Sequence, residues 1–337
     1  MSRRRRIDHV AALILGVIAL PSLAGAEDFY KGKTLTIVVG FTAGGGFDQN
    51  ARTLARHIGK HIPGNPTVIV QNMPGAGSLT SVRYLDATAP KDGTVMTHFH
   101  SGLVTQSVVQ PEKVGLDFRK FDWVGVITPD FRVCYGFGPN GVKTWDEMMA
   151  RKEFILGATA KGAGNYVNGA TLRHVFNAPV KQVLGYPGSS EQRLGMERGE
   201  LDGDCTAFSS IAPGWVEEKK VHVFVRYSEK KPPEIPDSAV YMGTYAKTEE
   251  QKQLLDLLNV GDTVGRPFVM SHQVPADRVA IMRKAFDDTM NDAAFRADME
   301  RQQLPLIPLT GEAAAAVVGK MTEVPPAIIA KAKEVYD

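Results

Sequence analysis

Residues 34–62 pass from the apolar run "TLTIVVGF" through "TAGGG" into "FDQNARTLARHIGKHI", where Ala51, Leu54, Ala55, Ile58 and Ile62 recur at helical spacing. A buried strand handing over to an amphipathic helix through consecutive glycines is the step of a β-α-β unit. The step recurs: "TVIVQNM" (67–73) runs through Pro74, Gly75 and Gly77 to Ser78, a predicted N-cap, and "FILGAT" (154–159) runs through Gly162 and Gly164 to a helix over 165–177. Further strands are predicted at 94–99, "RVCYGF", 180–186, "LDGDCTAF" and 221–227, with another helix at 189–198. The alternation predicts parallel sheets covered by helices on both faces. After the proline-rich 230–238, "VPADRVAIMRKAFDDTM" begins an amphipathic helix with Val279, Met282 and Phe286 inward.

The chain begins with "SRRRRIDH", an apolar "VAALILGVIAL" and an A-x-A site at Ala24–Ala26. This describes a secretory signal over residues 1–26, cut after Ala26, for which the apolar run is too short to serve as a membrane anchor. The arginines also suit the twin-arginine route. Removing residues 1–26 takes away four arginines and one aspartate, which lowers the formal charge from +2 to −1. The basicity belongs to the signal, so neither nucleic acid nor an anionic membrane is expected as a partner. The remaining 311 residues exceed one typical core and predict two lobes.

Glycines after a strand let backbone N–H groups approach a ligand, and the following helix adds the positive end of its dipole. The loop at 41–50 does not fit a dinucleotide fingerprint, because Gln49 stands where the third glycine should, and no G-K-[ST] closes it as a phosphate loop. What it fits is a smaller anion, a carboxylate above all. In open α/β sheets such loops gather at the carboxyl ends of the strands, so three of them on two lobes describe a clamp.

Other chemistry is thinly represented. His57 and His61 have zinc-pair spacing but lack the glutamate of H-E-x-x-H, and a solvated helix face is expected for them. His98 and His100 point to one side of a strand near its carboxyl end, as pocket-lining groups able to pair with an anion when protonated. Asp48 suits helix capping or acceptance from a ligand hydroxyl or ammonium, and Asp204 has the same two readings. No G-x-S-x-G elbow is present, and no catalytic residue, metal or cofactor is expected. Cys134 and Cys205 lie in strand-like runs, which leaves a disulfide between sheet neighbours or two buried thiols.

The loop "FTAGGGFD", the spaced "QNMPGAGS", the turn "APKDGT" (89–94), "GYPGS" (185–189) and "GELDG" (199–203) together resemble the TctC/Bug family of periplasmic receptors of tripartite tricarboxylate transporters, in order along the mature chain. The resemblance implies an α/β, two-lobed periplasmic binding protein of type II, a Venus flytrap with mixed, mostly parallel sheets. It implies lobe 1 from residues 27–128 and 229–337, lobe 2 from 129–228, and crossovers near 126–130 and 226–232. By position it implies a carboxylate site built from Thr42, Ala43, Gly44, Gly45, Gly46, Phe47 and Asp48, with Gly75, Ala76, Gly77 and Ser78 beside them. From the second lobe it implies Thr159, Ala160, Gly164, Asn165, Tyr186, Gly188 and Asp204. The partners implied are a small organic carboxylate and the membrane subunits of a transporter, with the receptor a monomer. Many relatives carry Thr where this chain has Phe47, and Gly-Ser/Thr where it has Gly164-Asn165, which points toward an aromatic or mixed-polarity carboxylate. The rival classes are an exported hydrolase or metal-dependent lyase centred on His98, His100 and Asp48, and a receptor that signals to a sensor kinase.

Overall fold

The computed structural model describes residues 29–41, 43–44, 46–158, 161–186, 189–212 and 214–337. The expected signal (1–26) and the expected site residues Thr42, Gly45, Thr159, Ala160 and Gly188 lie outside the described residues. Among the described residues, no helix is long and apolar enough to cross a membrane.

Twelve strands form among the described residues: β1 (Thr34–Val39), β2 (Thr67–Asn72), β3 (Val95–His98), β4 (Asp122–Val126), β5 (Arg132–Phe137), β6 (Phe154–Ala158), β7 (Val180–Leu184), β8 (Gly203–Ala207), β9 (Val221–Arg226), β10 (Val240–Tyr241), β11 (Pro267–Met270) and β12 (Leu309–Thr310). They make two sheets, ordered β2-β1-β3-β11-β4-β12 and β7-β6-β8-β5-β9-β10. Each sheet opens with a parallel trio whose middle strand comes first in the chain, and each is completed by a strand inserted antiparallel beside that trio. The inserted strands are those met on passing between lobes: β5 begins at Arg132, just after the chain leaves β4, and β11 begins at Pro267 on its return. The sheets are therefore mixed, as the resemblance implies, and not wholly parallel as the alternation alone predicts.

The helices pack as the period of their apolar residues dictates. Helix α1 (Gly46–Ile58) buries Ala51, Leu54 and Ile58 against Leu35, Ile37 and Val39 on one face of β1, while Val38 faces the opposite core with Val82, Leu85 and Phe99. That alternation follows from the two-residue period of a strand covered on both sides. Helix α2 (Leu79–Ala87) follows β2, and α3 (Gly102–Val109) follows β3. In the second lobe, α4 (Gly164–Phe176) follows β6 and α5 (Ser189–Glu197) follows β7. Helix α6 (Glu249–Thr263) leads back toward the first lobe, where α7 (Ala276–Asn291) buries Val279, Met282 and Phe286.

The return lies later than 226–232. The segment 230–238 does not cross, because it turns to lay β10 parallel to β9, and the chain passes back through α6 before β11. Cys134 and Cys205 stand opposite each other in the β5–β8 register and are joined by a disulfide, which resolves the two readings of these cysteines.

Candidate functional site

The first glycine loop is fastened from beneath. Strands β1 and β2 are parallel and in register to Val39↔Asn72, so the loops that leave them are neighbours. Asn72 exploits this, donating through Nδ2 to the Phe41 carbonyl and to Asp48 Oδ1, each at 2.9 Å. Asp48 Oδ2 accepts from the Gly44 N–H at 2.8 Å and from Arg52 Nε at 2.9 Å. Burial works against the Asp48 carboxylate, but the bonds from Arg52, Gly44 and Asn72 outweigh it and hold the pKa at about 2. Asp48 lies inside α1, so it is not the N-cap. Its side chain is 3% exposed and both oxygens accept hydrogen bonds from the loop, Arg52 and Asn72, so it fastens the loop. Ala43, Gly44 and Gly46 stay exposed above it.

The second loop is held in an unusual backbone state. Gly75, Ala76, Gly77 and Ser78 have φ of 142°, 46°, 61° and 76°, four positive values in succession. Two of these are not glycine, a conformation that persists only when its surroundings impose it. The restraint comes from Ser78. Its Oγ accepts from the His100 N–H at 2.8 Å, so it ties this loop to the end of β3 instead of making the expected N-cap bond. Gly40 permits the contact, because a Cβ there would lie 2.2 Å from that of Ser78.

Phe47 is half-buried between neighbouring side chains. Phe41 stacks on it at 4.4 Å and the Arg266 guanidinium sits over the ring at 3.9 Å. The contact with Arg266 is a cation–π pair. The histidines close this side. His98 is fully buried, donates from Nδ1 to the Pro267 carbonyl at 2.7 Å and stacks on Phe268 at 4.3 Å. Burial pushes its pKa down to about 3; burial and the charge of Arg132 push His100 down to about 4. Both shifts favour the neutral rings and work against protonated pairing with an anion.

The two passages between lobes run side by side where these loops converge. Ile127 N donates to the Arg266 carbonyl at 3.1 Å, Arg266 N to Thr128 at 3.0 Å and Asp130 N to Asp262 at 2.8 Å. Gly265 allows the close approach, since a Cβ there would lie 2.1 Å from Asp130 N. Asp130 bridges two guanidiniums, with Arg132 Nη2 at 2.5 Å and Arg266 Nη2 at 3.8 Å. Arg132 also reaches His100 Nε2 at 3.3 Å, and a Cβ on Gly164 would lie 2.8 Å from Arg132 Nη1. The third loop, at the start of α4, is thereby joined to the first two. One path of contacts runs from Ser78 through His100 and Arg132 to Gly164, and another runs from Phe47 through Arg266 and Asp130 to Arg132.

The rest of the second lobe is less tightly gathered. Asp204 is 1% exposed, and burial pushes its pKa up to about 7 against the Cys205 N–H bond and the charges of Arg132 and Arg193. Its Oδ1 and both amide atoms of Gln192 are buried without a hydrogen bond. Asn165 Oδ1 accepts from the Tyr166 N–H at 3.0 Å, next to Gly164 at the helix start. Tyr186 packs against Gly157 and Gly195 and donates to Glu200 at 3.2 Å, a position in the lobe's own packing. His57 and His61 do not lie on a solvated face: they pair with Asp298 and Asp292 at 3.0 and 2.9 Å and clasp the end of α1 and the turn after it to residues 292–298. Among the described residues, no three His, Cys, Asp or Glu side chains converge as a metal site. Two surface concavities, one including Asp122 and Arg283 and the other Arg119 and Met321, share no lining residue with the loops.

No family model matches the chain. It is 40% identical over 244 residues to a UPF0065 protein in the gbd 5' region of Cupriavidus necator, a match covering 67% of this chain and 68% of that protein. It is 25% identical over 231 residues to a UPF0065 protein in the TAR-I ttuE-ttuC' intergenic region of Agrobacterium vitis, covering 67% of this chain and 65% of that protein. The chain thus spans about two thirds of the length of each. Solved structures share its fold. A TctC solute binding protein from Polaromonas aligns with TM-score 0.69 at 17% identity over 87% of this chain and 96% of that one. MatC from Rhodopseudomonas palustris with bound malate gives 0.64 at 19%, over 90% and 99%. A further R. palustris protein with adipate gives 0.66 at 15%, over 89% and 97%.

Proposed function

The chain belongs to the TctC/Bug (UPF0065) family, and from that premise we propose that it is an extracytoplasmic solute receptor that captures a small organic carboxylate between its lobes. It delivers that ligand to the membrane subunits of a tripartite tricarboxylate-type transporter. It works in the periplasm as a monomer, and as a binding protein rather than an enzyme. The observation that carries this reading is the convergence of three strand-to-helix glycine loops, two from one sheet and one from the other, on the paired crossing strands. Malate and adipate in two solved relatives of the same fold support a carboxylate as the ligand class.

The geometry supports the following mechanism. Exposed backbone amides of the first two loops receive an anion, and the fastened Asp48 and Ser78 keep those loops in shape before it arrives, which lowers the ordering cost of binding. Desolvating a carboxylate is expensive, so each water it loses has to be replaced by a donor. The crossing segments act as a hinge about which the second lobe closes, and the closed form is the one a membrane partner recognises.

The purified protein, unfolded and refolded to strip carried ligand, is to be followed by melting temperature against mono-, di-, tri- and aromatic carboxylates, with amino acids and sugars as controls. A saturable rise for one carboxylate class, absent for its amide, is expected. Turnover of a carboxylate, or a response to sugars alone, would remove the receptor reading.

A further inference from the structure

The crossing strands hold charged groups that the three loops do not account for. Arg132 opens β5 and Arg266 directly precedes β11, so each lobe contributes one guanidinium at the root of its inserted strand. The two share Asp130, at 2.5 and 3.8 Å, and Arg132 Nε lies 3.5 Å from Asp262 Oδ1. Arg132 Nε and Arg266 Nη1 are nevertheless buried without a hydrogen bond, and the Arg132 side chain is only 10% exposed. His100, beside Arg132, is neutral and adds no charge.

The charge balance leaves room for an external anion. Burial works against the Asp130 carboxylate, but Arg132 and Arg266 keep it ionised. Asp262 approaches Arg132 alone, with Oδ1 3.5 Å from Nε, and burial raises its pKa. Asp130 is thus the carboxylate that the two guanidiniums share. Buried guanidinium donors without acceptors are costly, and a planar carboxylate is the partner their fork geometry fits. Both stand where the loops meet: Phe47 carries Arg266 on its face, and Gly164, lacking a side chain, leaves the space that Arg132 fills.

We propose, resting on the receptor reading above, that Arg132 and Arg266 form the floor of the interlobe site and hold the ligand carboxylate, with Asp130 as the internal anion it competes with. Because one guanidinium belongs to each crossing strand, the ligand charge draws the two strands together and couples occupancy to closure. Phe47 acts as a positioning residue for Arg266, which assigns this departure from the family pattern to the arginine instead of to an aromatic ligand.

Wild type, Arg132→Gln, Arg266→Gln and Asp130→Asn are titrated calorimetrically with malonate, succinate, adipate and benzoate. For a carboxylate that binds wild type, each arginine variant is expected to weaken binding about 10- to 100-fold, as loss of a charge-assisted pair implies. Asp130→Asn removes the competing anion and is expected to tighten binding; damage to the fold cannot do so, which keeps the test decisive if the arginine variants fold poorly. Folded arginine variants with wild-type affinity, or an Asp130→Asn variant that binds more weakly, would overturn the arginine floor while leaving the receptor standing. A wild type that binds none of the four but responds to sugars would remove both.

Discussion

Replacing Asp48 by asparagine keeps the shape of the loop fastener and removes its charge. In the folded protein the carboxyl is held at about 2 against an ordinary 3.8. At about 1.4 kcal/mol per pKa unit this corresponds to about 2 kcal/mol of stability. Screening subtracts little, because the side chain is 3% exposed. The sign follows from the direction of the shift. A depressed carboxyl stabilises fully above its unfolded pKa and loses that contribution as pH falls through the folded value, so the window runs from about pH 4 down to about pH 2. Asparagine has no second acceptor oxygen, and its amide would face the Nδ2 of Asn72, donor against donor. Urea unfolding of wild type and Asp48→Asn is therefore expected to show a gap of about 2 kcal/mol at pH 7, shrinking by about half at pH 3. Amide exchange at Gly44 should speed up in the variant, since its N–H loses the charged acceptor. A gap that stays constant between pH 7 and pH 3, or a variant as stable as wild type, would show that the carboxylate does not hold the loop.

Three further outcomes are expected. Changing Cys134 and Cys205 together to serine should cost about 4 kcal/mol in the loop-entropy account for a separation of 71 residues, read as a lower melting temperature that reductant no longer affects. Asp204→Asn should stabilise the ligand-free protein by about 2–4 kcal/mol above pH 7 and by nothing below about pH 4, because a carboxyl raised to about 7 costs stability progressively across that interval. Denaturant midpoints at pH 4 and pH 8 test the sign. Gly265→Ala, whose Cβ would lie 2.1 Å from Asp130 N, should lose about 1–3 kcal/mol or more and impair closure, checked by melting temperature and by small-angle scattering with and without carboxylate.

Much of the fold was legible because apolar period and glycine placement are local signals. The strands predicted at 34–41, 67–73 and 154–159 are found at Thr34–Val39, Thr67–Asn72 and Phe154–Ala158, and the helix at 165–177 is found at Gly164–Phe176. What local signals do not carry is which strand inserts where. β11 spans only Pro267–Met270 and begins with proline, so nothing in "PFVM" marks it as a central antiparallel strand, and the alternation alone predicts parallel sheets where the resemblance implies mixed ones. The site divides in the same way. Glycine loops announce themselves along the chain, whereas Arg132, Arg266, Asp130 and Asp262 are separated by more than a hundred residues across the two crossings and gain meaning only when those segments pair. Gln192 and Asn72 were equally silent. An amide inside an ordinary helix or at a strand end has no sequence signature, and only burial or the partners it holds give it a role.

The inserted strands also set an order of assembly. β3 and β4 do not pair with each other; β11 lies between them and binds both, Phe268 opposite His98 on one side and Gly125 on the other. Until residues 267–270 emerge, the β3 edge of the first sheet is an open row of unpaired backbone groups, and every pairing that closes it spans more than a hundred residues. The second sheet, drawn wholly from 132–241, is self-sufficient much earlier. The lobe that begins the chain is thus the lobe that finishes last, and a polypeptide made from its amino end must keep that half-built edge from other chains until almost all of it has arrived.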